Sequence, residues 1–243
     1  MKRYSVILIL CVFCAFIFIA EIKKEEKLNI VGQYKLEVPE PSGLALSADG
    51  KNLWTVSDET AKVYLISLDG KIQKSFSVNA YDLEGVCVLS DTSIAVVAER
   101  TREIIFMNNN GKEYYRKKIL NDAIDNSGLE GITFNKNNGH IFVVKEKHPR
   151  MLIELDENLN ELKKNEIDYV NDLSGLDFIP DKNELWMISD ESKTVAVCSS
   201  NGKANKKYKV KIDQIEGIAV GRKANLIYLV SDKEEKLYFI KLR

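Results

Sequence analysis

The sequence predicts an all-β protein, a ring of five four-stranded blades, on three observations. Five times a short apolar strand opens on a polar residue and a glycine, at Ser42-Gly43, Glu84-Gly85, Glu130-Gly131, Ser174-Gly175 and Glu216-Gly217. Fourteen or fifteen residues after each glycine a carboxylate closes the next strand, at Asp58, Glu99, Glu146, Asp190 and Asp232. The glycines recur at intervals of 42, 46, 44 and 42 residues, the period of a β-propeller blade.

The first repeat shows how each unit is built. Gly43–Ser47 is a short apolar strand, and the turn Ser47-Ala-Asp-Gly50 ends it. Asn52–Ser57 is rich in β-branched and aromatic residues and reads as a second strand. Lys62–Ser67 is a third, followed by the hairpin signal Asp69-Gly70. Ile72–Val78 is more polar and reads as the outer edge. Repeats two to four follow the same plan, with Asn110-Gly111 and Asn201-Gly202 at matching turns. The fifth has Glu216–Val220, Leu226–Val230 and Lys236–Ile240, then stops at Arg243 without an outer strand. A lone strand, Asn29–Val38, precedes the first repeat and supplies the missing piece. Pairing it with the third strand of repeat five closes the ring and removes an open sheet edge. An open solenoid would leave these complementary ends unexplained. Long helical periodicity is absent after residue 28, although Tyr115–Ile124 has the pattern for a turn or two of helix.

Residues 1–27 form a different unit. Met1-Lys2-Arg3 is followed by a charge-free run from Tyr4 to Ala20 and then by a charged linker. A basic start before an apolar stretch is an export signal, and this run sits at the lower limit for a membrane-spanning helix. Phe18 is too bulky for a cleavage site after Ala20, so one N-terminal apolar helix is expected as an uncleaved signal anchor. The chain then divides into an anchor and linker, 1–27, and a propeller, 28–243, held at the cell membrane on the extracytoplasmic side. The alternatives are a cleaved signal giving a secreted or periplasmic protein, or a lipoprotein attached at Cys11 or Cys14. Cys87 and Cys198 lie in different blades and read as buried thiols. With 35 basic and 36 acidic residues and scattered lysines, nothing points to nucleic acid. A monomer is expected.

Chemistry concentrates at one mouth of the ring. The first strand of each blade lines the central channel and the second runs back, so strand openings and closing acids gather on one face. Glu84, Glu130 and Glu216 should point toward the axis, with Ser42 and Ser174 at the equivalent places. Asp58, Glu99, Glu146, Asp190 and Asp232 lie just outside. Carboxylates crowded in this way raise one another's pKa unless a cation intervenes. Calcium suits an all-oxygen set, with magnesium or manganese second; zinc or copper would bring histidine or cysteine ligands. The simpler reading of the outer acids is as acceptors for backbone N–H groups of the next loop, and of the glycines as a backbone conformation open only to glycine. Arg100 and His148, in loops on the same face, could hold an anionic substrate. No nucleophile elbow or phosphate loop occurs, and Trp54 and Trp186, at matching positions in second strands, read as core.

The openings Pro41-Ser-Gly-Leu44, Asp82-Leu-Glu-Gly85, Gly128-Leu-Glu-Gly131, Asp172-Leu-Ser-Gly175 and Gln214-Ile-Glu-Gly217, with Trp54-Thr-Val-Ser-Asp58 and Trp186-Met-Ile-Ser-Asp190, resemble the SdiA-regulated family of bacterial β-propellers. The resemblance implies an exported, membrane-associated propeller with calcium in the central opening, held by Glu84, Glu130 and Glu216. It implies no defined activity, and Ser42 and Ser174 leave the ligand count open. Two functions follow: a calcium-stabilised module that binds a small molecule or protein, or a metal-dependent hydrolase of phosphoesterase or lactonase type at the same mouth.

Overall fold

The computed structural model describes residues 26–120, 128–221 and 225–242. The apolar segment 4–20, expected as a helix, lies outside them; no helix among the described residues is long and apolar enough to cross a membrane. Two strands precede the repeats, β1 (Glu26–Lys27) and β2 (Asn29–Lys35). Blade 1 holds β3 (Pro41–Leu46), β4 (Asn52–Ser57), β5 (Lys62–Ser67) and β6 (Ile72–Ser77). In blade 2 are β7 (Leu83–Ser90), β8 (Ser93–Ala98), β9 (Glu103–Asn108) and β10 (Glu113–Lys118). Blade 3 comprises β11 (Leu129–Asn135), β12 (His140–Lys145), β13 (Met151–Leu155) and β14 (Glu161–Glu166). Blade 4 comprises β15 (Gly175–Ile179), β16 (Glu184–Ser189), β17 (Thr194–Ser199) and β18 (Ala204–Lys209). β19 (Ile215–Val220), β20 (Leu226–Ser231) and β21 (Lys236–Lys241) complete the series in blade 5.

Every blade is an antiparallel meander, and β2 adds antiparallel to β21 as the fourth strand of blade 5, Tyr34 opposite Leu237. The ring is closed by the strand the sequence left over. One pairing was not anticipated: β1 runs parallel to β18 and makes blade 4 five-stranded. The expectation of helix over 115–124 is corrected for 115–118, because Glu113–Lys118 pairs with β9 as an outer strand; residues 121–124 lie outside the described residues. The strand's adjacent tyrosines and run of basic residues are mostly exposed, as suits an outer edge.

Apolar residues occupy both faces of the inner strands, because each blade is covered on both sides. The core is therefore five layers, one per blade junction. Trp54, Val56 and Val63 meet Leu83, Val86 and Ile94 between blades 1 and 2. Leu36, Val38 and Leu53 meet Tyr228, Val230 and Leu237 across the closing junction. Trp54 and Trp186 are core residues, and Cys87 and Cys198 are buried free thiols, as expected.

At the axis the glycines touch in sequence. A Cβ on Gly85 would lie 3.1 Å from the Cα of Gly131, one on Gly131 3.0 Å from that of Gly175, and one on Gly217 2.6 Å from the carbonyl carbon of Gly43. Only Gly43 of the five has a positive φ, +56°. Close approach of neighbouring backbones, not a left-handed conformation, is what excludes a side chain at the other four.

Candidate cation site at the acidic mouth

The strand openings differ in a way the repeat conceals. In blades 2, 3 and 5 the ladder skips one residue before the glycine: Leu83 pairs with Ala98 and Gly85 with Val97, Leu129 with Lys145 and Gly131 with Val144, Ile215 with Ser231 and Gly217 with Val230. The skipped residues are Glu84, Glu130 and Glu216. Each glutamate is thus the extra residue of a β-bulge, a device that re-aims a side chain and frees it from the pleat. In blade 1 the ladder instead skips Gly43, and the ladder of blade 4 begins at Gly175. Where the opening is serine, no bulged side chain is presented.

The three glutamates, the two serines and the five closing acids all line one cavity of about 290 Å³. Ser42 Oγ donates to Glu84 Oε2 at 2.6 Å, and Ser174 Oγ donates to the carbonyl of Ile215 at 2.8 Å, so each serine ties its blade to the next. The closing acids divide by role. Glu99 accepts the N–H of Gly128 at 2.9 Å and Asp190 that of Ile215 at 3.1 Å, the loop-acceptor role. Glu146 pairs with Lys147 at 2.6 Å. Asp58 and Asp232 each keep one buried oxygen without a hydrogen-bond partner.

Electrostatics follow from this packing. Burial, with the charges of Glu84, Glu99, Glu146 and Glu216 behind it, holds Glu130 well above the usual carboxylate range. Burial does the same for Glu216. It pushes Glu84 up to about 8, Ser42 opposing, with Asp58, Glu99 and Asp82 adding repulsion. Glu99, Asp58 and Asp232 are raised as well, burial again leading.

Sequence reasoning missed part of the mouth. Glu40, Asp172 and Gln214 line the cavity, and Asp82 lies beside it. They share a column with Gly128, three residues before each glycine, and that column was the available signal. Glu40, Asp82 and Gln214 adopt positive φ, turning the chain into the inner strand. The carbonyls of Asp82, Gly128 and Gln214 take the N–H groups of Glu99, Glu146 and Asp232. Asp172 accepts from the Ser189 hydroxyl and from the N–H groups of Asp190 and Glu191, so its part is to hold the turn. Arg100 and His148 do not line the cavity: Arg100 pairs with Asp82 and His148 is exposed. The cation at the mouth is Lys147, joined to Glu146 and to Glu191 at 2.9 Å. The buried Lys145 donates to the carbonyls of Lys147 and His148 and shapes that loop.

Among the described residues, two groups of acids could hold a metal ion, with carboxylate oxygens within 4.8 Å of one another: Asp58, Asp82 and Glu84, and Glu99, Glu130 and Glu146. Each combines a bulged glutamate with a closing acid. Glu216 joins neither, so the three glutamates do not form one compact triad. The donor set fits a hard cation. It is all oxygen, burial raises the pKa of Asp58, Glu84, Glu99 and Glu130 within it with neighbouring carboxylates adding repulsion, and Asp58 offers an orphaned oxygen.

The architecture is shared with solved structures of low sequence identity. The Myxococcus xanthus glutaminyl cyclase superposes with a TM-score of 0.70 at 12% identity, over 89% of this chain and 98% of that one. A streptogramin B lyase superposes with a TM-score of 0.54 at 17% identity, over 87% of this chain and 72% of that one. Both likenesses concern the fold. Family is fixed by sequence: residues 23–241 match the SdiA-regulated family, and the chain belongs to it.

Proposed function

We propose that this protein is an exported propeller, anchored in the cell membrane through residues 4–20, that binds calcium at its acidic mouth and presents that face to a small molecule or protein. The carrying observation is the placement of three bulged glutamates around one cavity whose donors are all oxygen. Glu84, Glu130 and the adjoining Asp58, Asp82, Glu99 and Glu146 would hold the ion. The test is calorimetric titration of the metal-stripped full chain with calcium. Glu130→Gln is expected to weaken affinity by about tenfold or more, since it removes a charged ligand. Glu113→Gln should leave it unchanged, because Glu113 is committed to Arg116 on an outer strand. Equal affinities in the two variants would reject the assignment. Anchoring is tested separately: the full chain should stay with membranes after an alkaline wash, and a protein released by that wash would overturn the anchor.

One observation favours a second reading, a metal-dependent hydrolase at the same mouth. Burial pushes Glu84 up to about 8, toward the range in which a carboxyl can exchange protons near neutrality. The cation would supply Lewis acidity there, and Lys147 would orient an anionic substrate. Phosphoester or lactone turnover that is lost in Glu84→Gln would support it; absence of turnover with calcium bound would leave the binding module.

A further inference from the structure

Lysines are otherwise scattered, but one strand gathers five of them. Residues 203–211, which contain β18, carry Lys203, Lys206, Lys207, Lys209 and Lys211 with no acid among them, in a protein of formal charge −1. Other outer strands are balanced or engaged. β14 sets two lysines against two glutamates, and in β10 Arg116 is committed to Glu113 and Glu103. Lys203 and Lys211, at the two ends of the basic run, are exposed and enter no ion pair among the described residues.

Next to this run lies β2. The chain crosses from the edge of blade 4 to the edge of blade 5 through the single residue Leu28. β2 holds three of the large apolar residues that stay exposed, Ile30, Val31 and Tyr34. A basic edge and an apolar edge are thus neighbours. The combination suits the interface of a membrane that contains anionic lipid, where ammonium groups meet phosphates and tyrosine and aliphatic side chains enter the headgroup layer.

The point at which the chain enters the propeller selects this edge. β1 runs parallel to β18, with Glu26 opposite Tyr208 and Lys27 opposite Lys209. Residues 21–25 alone separate β1 from the charge-free run that ends at Ala20. A stretch of that length reaches on the order of 20 Å even when fully extended. An anchor in residues 4–20 therefore keeps the basic strand within a few screening lengths of the lipid surface. The short tether also gives the strand a high effective concentration there, so individually weak contacts suffice to dock it. Blade 2 provides the contrast. It too exposes tyrosines, Tyr114 and Tyr115, but it stands across the ring from the point of entry.

We propose that the edge formed by β18 and β2 docks on an anionic phospholipid surface, laying the rim of blades 4 and 5 against the membrane. The proposal rests on the anchoring of residues 4–20. No residue of β2 or β18 lines the acidic mouth, which stays out of the contact.

The test is lysine acetylation read by mass spectrometry. The full chain is reconstituted into phosphatidylcholine vesicles with and without phosphatidylglycerol, neither of which has an amine. Lys203 and Lys211 are expected to lose at least about fivefold in reactivity when the anionic lipid is present, the size of one lysine's attraction to such a surface. High salt should restore it. Lys112 and Lys118 of blade 2, also exposed, should react alike in both vesicles. Lys203→Glu with Lys211→Glu should remove the protection of Lys206 between them. Lys112→Glu with Lys118→Glu, the same change of charge, should leave Lys203 and Lys211 protected. No protection by anionic lipid, equal protection of Lys112 and Lys118, equal protection by soluble glycerol phosphate over neutral vesicles, or protection of Lys206 that survives the first double variant would each overturn the proposal. An alkaline wash of the same vesicles keeps the two readings apart. A chain retained without protection overturns the docking alone; a chain released overturns the anchor, and the labelling still decides the docking edge.

Discussion

Glu130 is buried, and Glu84 and Glu216 are half-buried, in a protein whose folding would be easier without these acids. In the unfolded chain each titrates near its ordinary 4.5; in the fold burial raises all three, Glu84 to about 8. Between these values the folded state holds more protons than the unfolded one, so stability falls as pH rises. Their contribution is intact below about pH 4.5 and is lost as pH climbs through the folded values. The acids held low by local hydrogen bonds, among them Asp49, Asp69 and Asp156, act below that window. The chelated protein is therefore expected to lose several degrees of melting temperature between pH 5 and pH 9. Saturating calcium should remove most of that loss, because the ion neutralises the charge that burial opposes. A melting temperature that is flat or rising over this range in chelator would contradict the electrostatic account.

At the scale of the strand, the bulge and the glycine that follows it act together. The bulge carries the glutamate out of the ladder, and the glycine lets the next blade's backbone approach to van der Waals distance. A methyl group at Gly217 would meet the carbonyl carbon of Gly43 at 2.6 Å and the nitrogen of Leu44 at 2.8 Å, both backbone atoms. At Gly32, in the outer strand β2, it would meet only a ring carbon of Phe239 at 3.8 Å. Gly217→Ala should therefore cost about 2 kcal/mol or more, an overpacking penalty with no side chain able to yield. Gly32→Ala should stay within about 0.5 kcal/mol of the parent. Chemical denaturation of the two variants makes the comparison, and similar values would mean the ring is looser than its geometry.

For the molecule as a whole, stability depends on closure. Each blade buries its faces against two neighbours, so an opened ring would expose two layers of core. β2 itself is largely exposed and contributes a backbone ladder. Behind it Leu36 and Val38 are buried in the layer between blades 5 and 1. Deleting residues 28–38 from the full chain should lower the melting temperature sharply, because it removes the ladder and leaves a cavity where those side chains packed. An unchanged melting temperature would show that the ring does not depend on this strand.

The sequence by itself determined the number of blades, the order of strands, the closing segment and the face on which the acids gather. All of these follow from a period near 44 residues and from alternation along short strands, which are local properties. The column of Glu40, Asp82, Gly128, Asp172 and Gln214 was equally periodic and could have been read. The bulges could not, since Glu84 and Ser42 occupy the same place in the repeat and differ only in how the ladder runs past them. Lys147 supplanting Arg100 and His148, the parallel pairing of β1, and Tyr115–Lys118 as strand instead of helix were also beyond reach. Each depends on which backbone lies across the gap. Tertiary structure alone decided that the glycines form a constriction at the axis, because contact between blades 42 to 46 residues apart is a property of the closed ring and of no single repeat.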